Sequence, residues 1–118
     1  MKKLRSSSGM ADYFVNDLLS GVEGVRSRAM FGGHGIYKDE IFFAIVVDDE
    51  LYFKVDESNR ADYEKTGSEP FTYEVAGRKK PVVMSYWKVP VDVLEDREVL
   101  AMWAKKSIRI ARRKASSV

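Results

Sequence analysis

From Arg26 to Lys54 the chain reads RSRAMFGGHGIYKDEIFFAIVVDDELYFK, short β-branched and aromatic runs broken by glycine-rich and acidic turns. Val, Ile, Tyr and Phe fit a pleated, half-buried surface, whereas Gly and Asp end such runs. The pattern predicts strands over Val25–Phe31, Gly35–Lys38, Ile41–Val47 and Leu51–Val55, joined by turns too short for anything but neighbouring antiparallel partners. The run Gly32-Gly33-His34-Gly35 is neither a dinucleotide fingerprint nor a P-loop, and a strand rather than a helix follows it. Without a helix N-terminus to supply free amides, a β-bulge or sharp strand bend is the expected role of these glycines.

Helical periodicity flanks this sheet. Met10, Tyr13, Phe14, Leu18 and Val22 recur at three- and four-residue steps, predicting a helix over Ser8–Leu19 with cap oxygens from Ser6, Ser7 and Ser8 and a stop near Gly21 and Gly24. Asp56, Ser58 and Asn59 can cap a short helix through Lys65, which Gly67 ends. Phe71–Val75 and Pro81–Lys88 flank a hairpin tip carrying Arg78, Lys79 and Lys80. Beyond Pro90, Asp92 or Asp96 can cap a last helix whose Leu100, Trp103, Ala104, Ser107, Ile108 and Ala111 form an apolar-to-small stripe. The expected fold is a single α+β domain, an antiparallel five- to six-stranded sheet with packed helices in the order α-β-β-β(-β)-α-β-β-α. Its span is 10–114, with a flexible lead at 1–9 and a tail at 115–118. A chain of 118 residues, 45% apolar, suffices for one such core.

Ile41-Phe42-Phe43-Ala44-Ile45-Val46-Val47 is apolar on both faces, whereas Leu51-Tyr52-Phe53-Lys54-Val55 alternates. A strand covered on one side by helices ordinarily turns polar residues outward, so something else is expected over the second face of the first run. A third helix or a second copy of the chain, as a homodimer, would serve.

Chemistry is sparse. There is no cysteine, which removes disulfides, thiolate nucleophiles and sulfur-ligated zinc together. His34 is the single histidine, expected in a turn, solvent-exposed or hydrogen-bonded, and a lone imidazole lacks the partners of an activated site. Ser85-Tyr86-Trp87-Lys88 spells S-x-x-K without its companion motifs, on a strand where residues three apart face opposite ways, and Ser27 offers no more. The turn Asp48-Asp49-Glu50 has too few ligands at defined spacing for calcium. The residues therefore point to no enzyme, no catalytic residue, no metal and no cofactor, with a small-ligand binder or enzyme using His34 and Tyr37 as the outlying alternative. Lacking a membrane-span window and the apolar core of a signal peptide, the chain is expected in the cytoplasm.

Net charge is only +2, yet it is polarised: Asp39–Glu69 holds ten acidic residues against Lys54, Arg60 and Lys65, while Lys105–Lys114 holds six basic residues and no acid. Lys105, Lys106, Arg109, Arg112 and Arg113 are the candidate nucleic-acid contacts, a salt-sensitive patch for phosphates. The same cations complement a helix C-terminus, and without a recognition-helix or RNA-binding aromatic motif this second reading is preferred.

The runs Arg28-Ala29-Met30-Phe31-Gly32-Gly33-His34-Gly35-Ile36-Tyr37, Asp49-Glu50-Leu51-Tyr52-Phe53-Lys54-Val55-Asp56, Glu69-Pro70-Phe71-Thr72-Tyr73 and Met84-Ser85-Tyr86-Trp87-Lys88-Val89-Pro90 together resemble the N-terminal domain of the TfoX/Sxy competence regulators. Met30, Phe31, Gly32, Gly33 and Gly35 stand at the centre of that likeness, which extends over about Tyr13 to Arg113. The resemblance implies an α/β fold with an antiparallel sheet and no established catalytic residues. It also implies regulation of DNA-uptake genes, in fuller members together with the cyclic-AMP receptor protein and with a second, helical domain. For a stand-alone domain it implies action through a protein partner, the transcription machinery or a regulator.

Overall fold

The computed structural model describes residues 9–30 and 32–116, so the expectations placed on Ser6–Ser8 and Phe31 lie outside the described residues. Six strands, β1 (Val25–Met30), β2 (Gly33–Lys38), β3 (Ile41–Val47), β4 (Glu50–Lys54), β5 (Pro70–Tyr73) and β6 (Val82–Lys88), form one antiparallel sheet in the order β1-β2-β3-β4-β6-β5. Helix α1 covers residues 9–13 and continues as a π-helical turn over Phe14–Leu18, where the Leu19 amide donates five residues back to the Phe14 carbonyl at 2.8 Å. Then come α2 (Arg60–Glu64), α3 (Val91–Leu94) and α4 (Arg97–Ser116). The domain is α+β, and the short α3 adds a helix to the expected order.

Local chemistry explains the elements. Val47 and Glu50 pair across a two-residue loop in which Asp48 and Asp49 both take positive φ, 52° and 65°, the primed turn whose twist matches a hairpin. Asp96 caps α4, its Oδ1 accepting from the amides of Glu98 and Val99 at 3.2 Å each. Asn59 stands at the cap position of α2 but makes no cap bond. Its buried amide instead donates to the Lys54 carbonyl at 3.3 Å and accepts from the Asp56 amide at 2.9 Å, knitting β4 to the loop before α2.

The core lies between the sheet and the helices. Ile36, Phe43, Ala44, Val46, Leu51 and Phe53 pack against Phe14, Leu18, Leu100, Ala104 and Ile108, and the buried Ser107 hydroxyl donates to the Lys54 carbonyl at 2.7 Å. Leu51, Phe53 and Val55 are buried while Tyr52 and Lys54 are half-buried, as the alternation predicts.

The bulge is not at the glycines. Ile36 pairs with Ala44 but Tyr37 pairs with Phe42, so Phe43 is the extra residue on β3. A bulge resets the two-residue alternation. Phe43, Ala44 and Val46 join the helix-side core, while Phe42, Ile45 and Val47 face the other way. Gly32 forms the turn before β2 with φ +66, and Gly33, His34 and Gly35 lie inside the strand.

Candidate functional site

The second face of β3 opens onto a cavity of about 490 Å³ lined by Met30, Gly32, Gly33, His34, Phe42, Ile45, Val47, Phe71, Tyr73 and Met84. No helix residue among the described residues lines it, so of the two covers considered, a third helix or a second copy, the structure supplies no helix there. Met30 on β1 and Tyr73 on β5 are five strand steps apart, about 24 Å in a flat sheet. Both line one cavity, so the sheet curls around its outer face. Its walls are aromatic: Phe42 stacks on Tyr37 at 5.1 Å and tilts against Tyr86 at 5.6 Å, and Phe71 meets Tyr52 edge-on at 5.2 Å.

The motif glycines shape this face. A Cβ on Gly35 would meet the Phe42 ring at 2.8 Å and the Met30 sulfur at 3.1 Å, so both side chains lie over a position with no side chain of its own. A Cβ on Gly33 would run into the Val46 carbonyl oxygen. His34, expected in a turn, is half-buried on β2 between Ala29 and Val46, and its Nδ1 has no hydrogen-bond partner among the described residues. Beside Met30, the Arg26 and Arg28 guanidinium groups sit 5.5 and 5.6 Å from the Tyr37 ring centroid, within cation–π range. Arg26 also reaches Glu40 at 3.3 Å, whereas Arg28 meets no carboxylate among the described residues.

The basic residues of α4 are divided. Lys106 pairs with Asp62 at 3.6 Å and Arg113 with Asp56 at 3.3 Å, both across to the α2 region. Lys105, Arg109 and Arg112 instead line a cleft of about 590 Å³ with Gly21, Val22, Glu23, Lys38 and Ile108. The sequence grouped five cations on one helix; the fold brings three of them to Lys38, a residue that only the β2 register places there. The hairpin-tip Arg78, Lys79 and Lys80 are exposed.

The serine motif also resolves differently from its spelling. Ser85 Oγ is bonded by Lys54 Nζ at 2.7 Å rather than by Lys88, and that ammonium lies 5.0 Å from the Tyr86 ring centroid. Burial, followed by the charge of Lys114, holds the Lys54 pKa below its ordinary value. The buried Tyr86 phenol is pushed up to about 12 by desolvation. Neither Ser85 nor Lys54 lines either of these two cavities. Among the described residues no three His, Asp or Glu converge as metal ligands, and no helix is long and apolar enough to cross a membrane.

Asp56 gives a pH prediction. Burial alone would raise its pKa, but hydrogen bonds from the Ser58 hydroxyl and amide, with the charges of Arg113 and Lys114, hold it below the usual carboxylate value. A carboxyl with a depressed folded-state pKa contributes stability that is complete above its unfolded value of about 4 and is lost as pH falls through the folded value. The urea midpoint of the parent chain should therefore exceed that of Asp56→Asn at neutral pH, with the gap closing on acidification. A gap that widens in acid would contradict the assignment.

A family model described as the TfoX N-terminal domain matches residues 17–111, which take in the whole sheet and α4 as far as Ala111. The chain belongs to the TfoX N-terminal domain family. No curated protein gives a significant match.

Proposed function

We propose that the chain is a cytoplasmic, non-enzymatic regulatory module of the TfoX kind that acts by binding a partner protein, and that the concave sheet face receives it. The observation that carries this is the aromatic and methionine-lined cavity on a sheet whose other face already holds the core. Met30 and Tyr73 at its mouth are 39% and 44% exposed. Exposed apolar patches flanked by polar residues mark interaction sites. Arg28, stacked on Tyr37 and free of a carboxylate among the described residues, defines the partner: one or two apolar side chains for the cavity, with an acidic residue beside them.

The test is selection from a displayed random-peptide library on the immobilised chain, with particle mass followed by light scattering. Enriched peptides should combine an aromatic or large aliphatic residue with Asp or Glu, and should bind Met30→Glu and Tyr73→Asp at least about tenfold more weakly. Peptides that bind both variants undiminished would remove the cavity from the reading. A dimer dissociated by Tyr73→Asp would assign the face to a second copy instead.

A further inference from the structure

We propose that the cleft between the α1–β1 loop and α4 binds the phosphate groups of a small phosphorylated ligand of about mononucleotide size. It shares no lining residue with the concave sheet face, so the inference stands apart from the protein-contact reading.

Lys105, Arg109 and Arg112 follow one another at four- and three-residue steps on α4, the spacing that sets side chains on one helix face. All three are exposed, and among the described residues none forms an ion pair with a carboxylate. Like charges at this spacing repel and weaken a helix. The same helix neutralises Lys106 with Asp62 and Arg113 with Asp56, so its cations are sorted: one side is satisfied internally and the other is left facing the cleft.

Lys38 completes the set from across the cleft. Its Nζ donates to the Glu23 carbonyl at 2.6 Å and lies 3.8 Å from Asp39 Oδ2, which fixes the ammonium beside the loop. The loop runs close to α4 at Gly21, where an added Cβ would stand in ordinary contact, 3.6 Å from the Ala101 side chain. Glu23 is the one acidic residue in the lining, against Lys38, Lys105, Arg109 and Arg112. Val22 and Ile108, both buried, form an apolar floor. Two guanidiniums offer forked donors that match phosphate oxygens, and the two ammoniums add point charges.

Size separates the sources of phosphate. A cavity of about 590 Å³ is within the usual range for small-molecule sites. A duplex needs a basic stripe that follows several phosphates. The stripe ends here, because Lys106 and Arg113 turn to the α2 region and are paired.

The experiment is isothermal titration calorimetry of the full chain with inorganic pyrophosphate, AMP and ATP, beside anisotropy titrations of labelled single-stranded and duplex DNA at low and raised salt. Pyrophosphate and ATP should bind one to one, more tightly than AMP. Affinity should fall at least about tenfold in Arg109→Gln/Arg112→Gln and in Lys105→Gln. Arg78→Gln/Lys79→Gln, which removes equal charge from the exposed hairpin tip, should leave it unchanged. Absence of heat with millimolar pyrophosphate overturns the proposal, as does equal weakening by the two double variants. DNA bound more tightly than ATP, with a salt slope of several phosphates, overturns the small-ligand assignment and gives the cleft to a nucleic-acid backbone.

Discussion

Replacing Gly33 with alanine is expected to destabilise the domain by about 3 kcal/mol, near the upper end of overpacking costs, read as a fall in the urea midpoint. The added Cβ meets backbone: the Val46 carbonyl oxygen lies well inside contact distance, and Val46 C and Val47 Cγ2 follow at 3.4 Å. A flexible side chain could swing away, but Val46 and Val47 are held in the β2–β3 ladder, where Gly33 pairs with Val47. Relief therefore requires parting the strands at the cavity's edge. Two neighbouring glycines serve as internal controls. Gly35→Ala presses on the Phe42 ring and the Met30 sulfur, side-chain atoms at an open cavity, and should cost about 1 kcal/mol. Gly32→Ala meets nothing within 4 Å but must hold φ +66, a strain of about 1 kcal/mol. A larger loss at Gly32 than at Gly33 would refute the claim that close backbone approach, rather than turn conformation, fixes this part of the motif.

The glycine motif shows what residue pattern can and cannot convey. Strand runs and the alternation of Leu51, Phe53 and Val55 were legible because burial on one face writes a two-residue period directly into the chain. The stripe on α4 was legible as a 3.6-residue period: Leu100, Ala104, Ser107, Ile108 and Ala111 are buried, and Trp103 is half-buried against the core. Gly32 to Gly35 suggested a bulge, since glycine commonly relieves positive φ. Only pairing shows that two of the four are needed for what approaches from a neighbouring strand or side chain. The cleft was half legible: helical spacing groups Lys105, Arg109 and Arg112, but the acids that withdraw Lys106 and Arg113 come from Asp62 and Asp56, and Lys38 comes from β2. Such convergence depends on register between elements far apart in sequence, which periodicity within one element does not encode. The curl of the sheet is likewise invisible in any single strand.

Phe43→Ala is expected to cost about 3–5 kcal/mol, while Phe42→Ala, one residue away and of identical chemistry, should cost about 1–2 kcal/mol. Strict alternation would already send these rings to opposite faces, but it would also separate Phe43 from Ala44. The bulge at Phe43 lets both enter the core, where Phe43 is 0% exposed with its ring centroid 5.9 Å from that of Phe53. Truncation there leaves a void that the sheet and α4 cannot close, because close-packed interiors relax only in part. Phe42 stands on the outer face between Tyr37 and Tyr86, where water and the neighbouring rings can occupy the vacated space. Against a total stability of about 5–15 kcal/mol for a domain of ordinary stability, the Phe43 loss approaches unfolding and the Phe42 loss does not. Urea titrations of the two variants, followed by far-ultraviolet circular dichroism, separate the cases. Phe42→Ala should also enlarge the concave cavity and weaken capture of apolar peptides from a fold that remains intact. Equal losses, or the reverse order, would place the β3 register one residue away from that described, since a one-residue slip exchanges the two faces of a strand and with them the core and the binding surface.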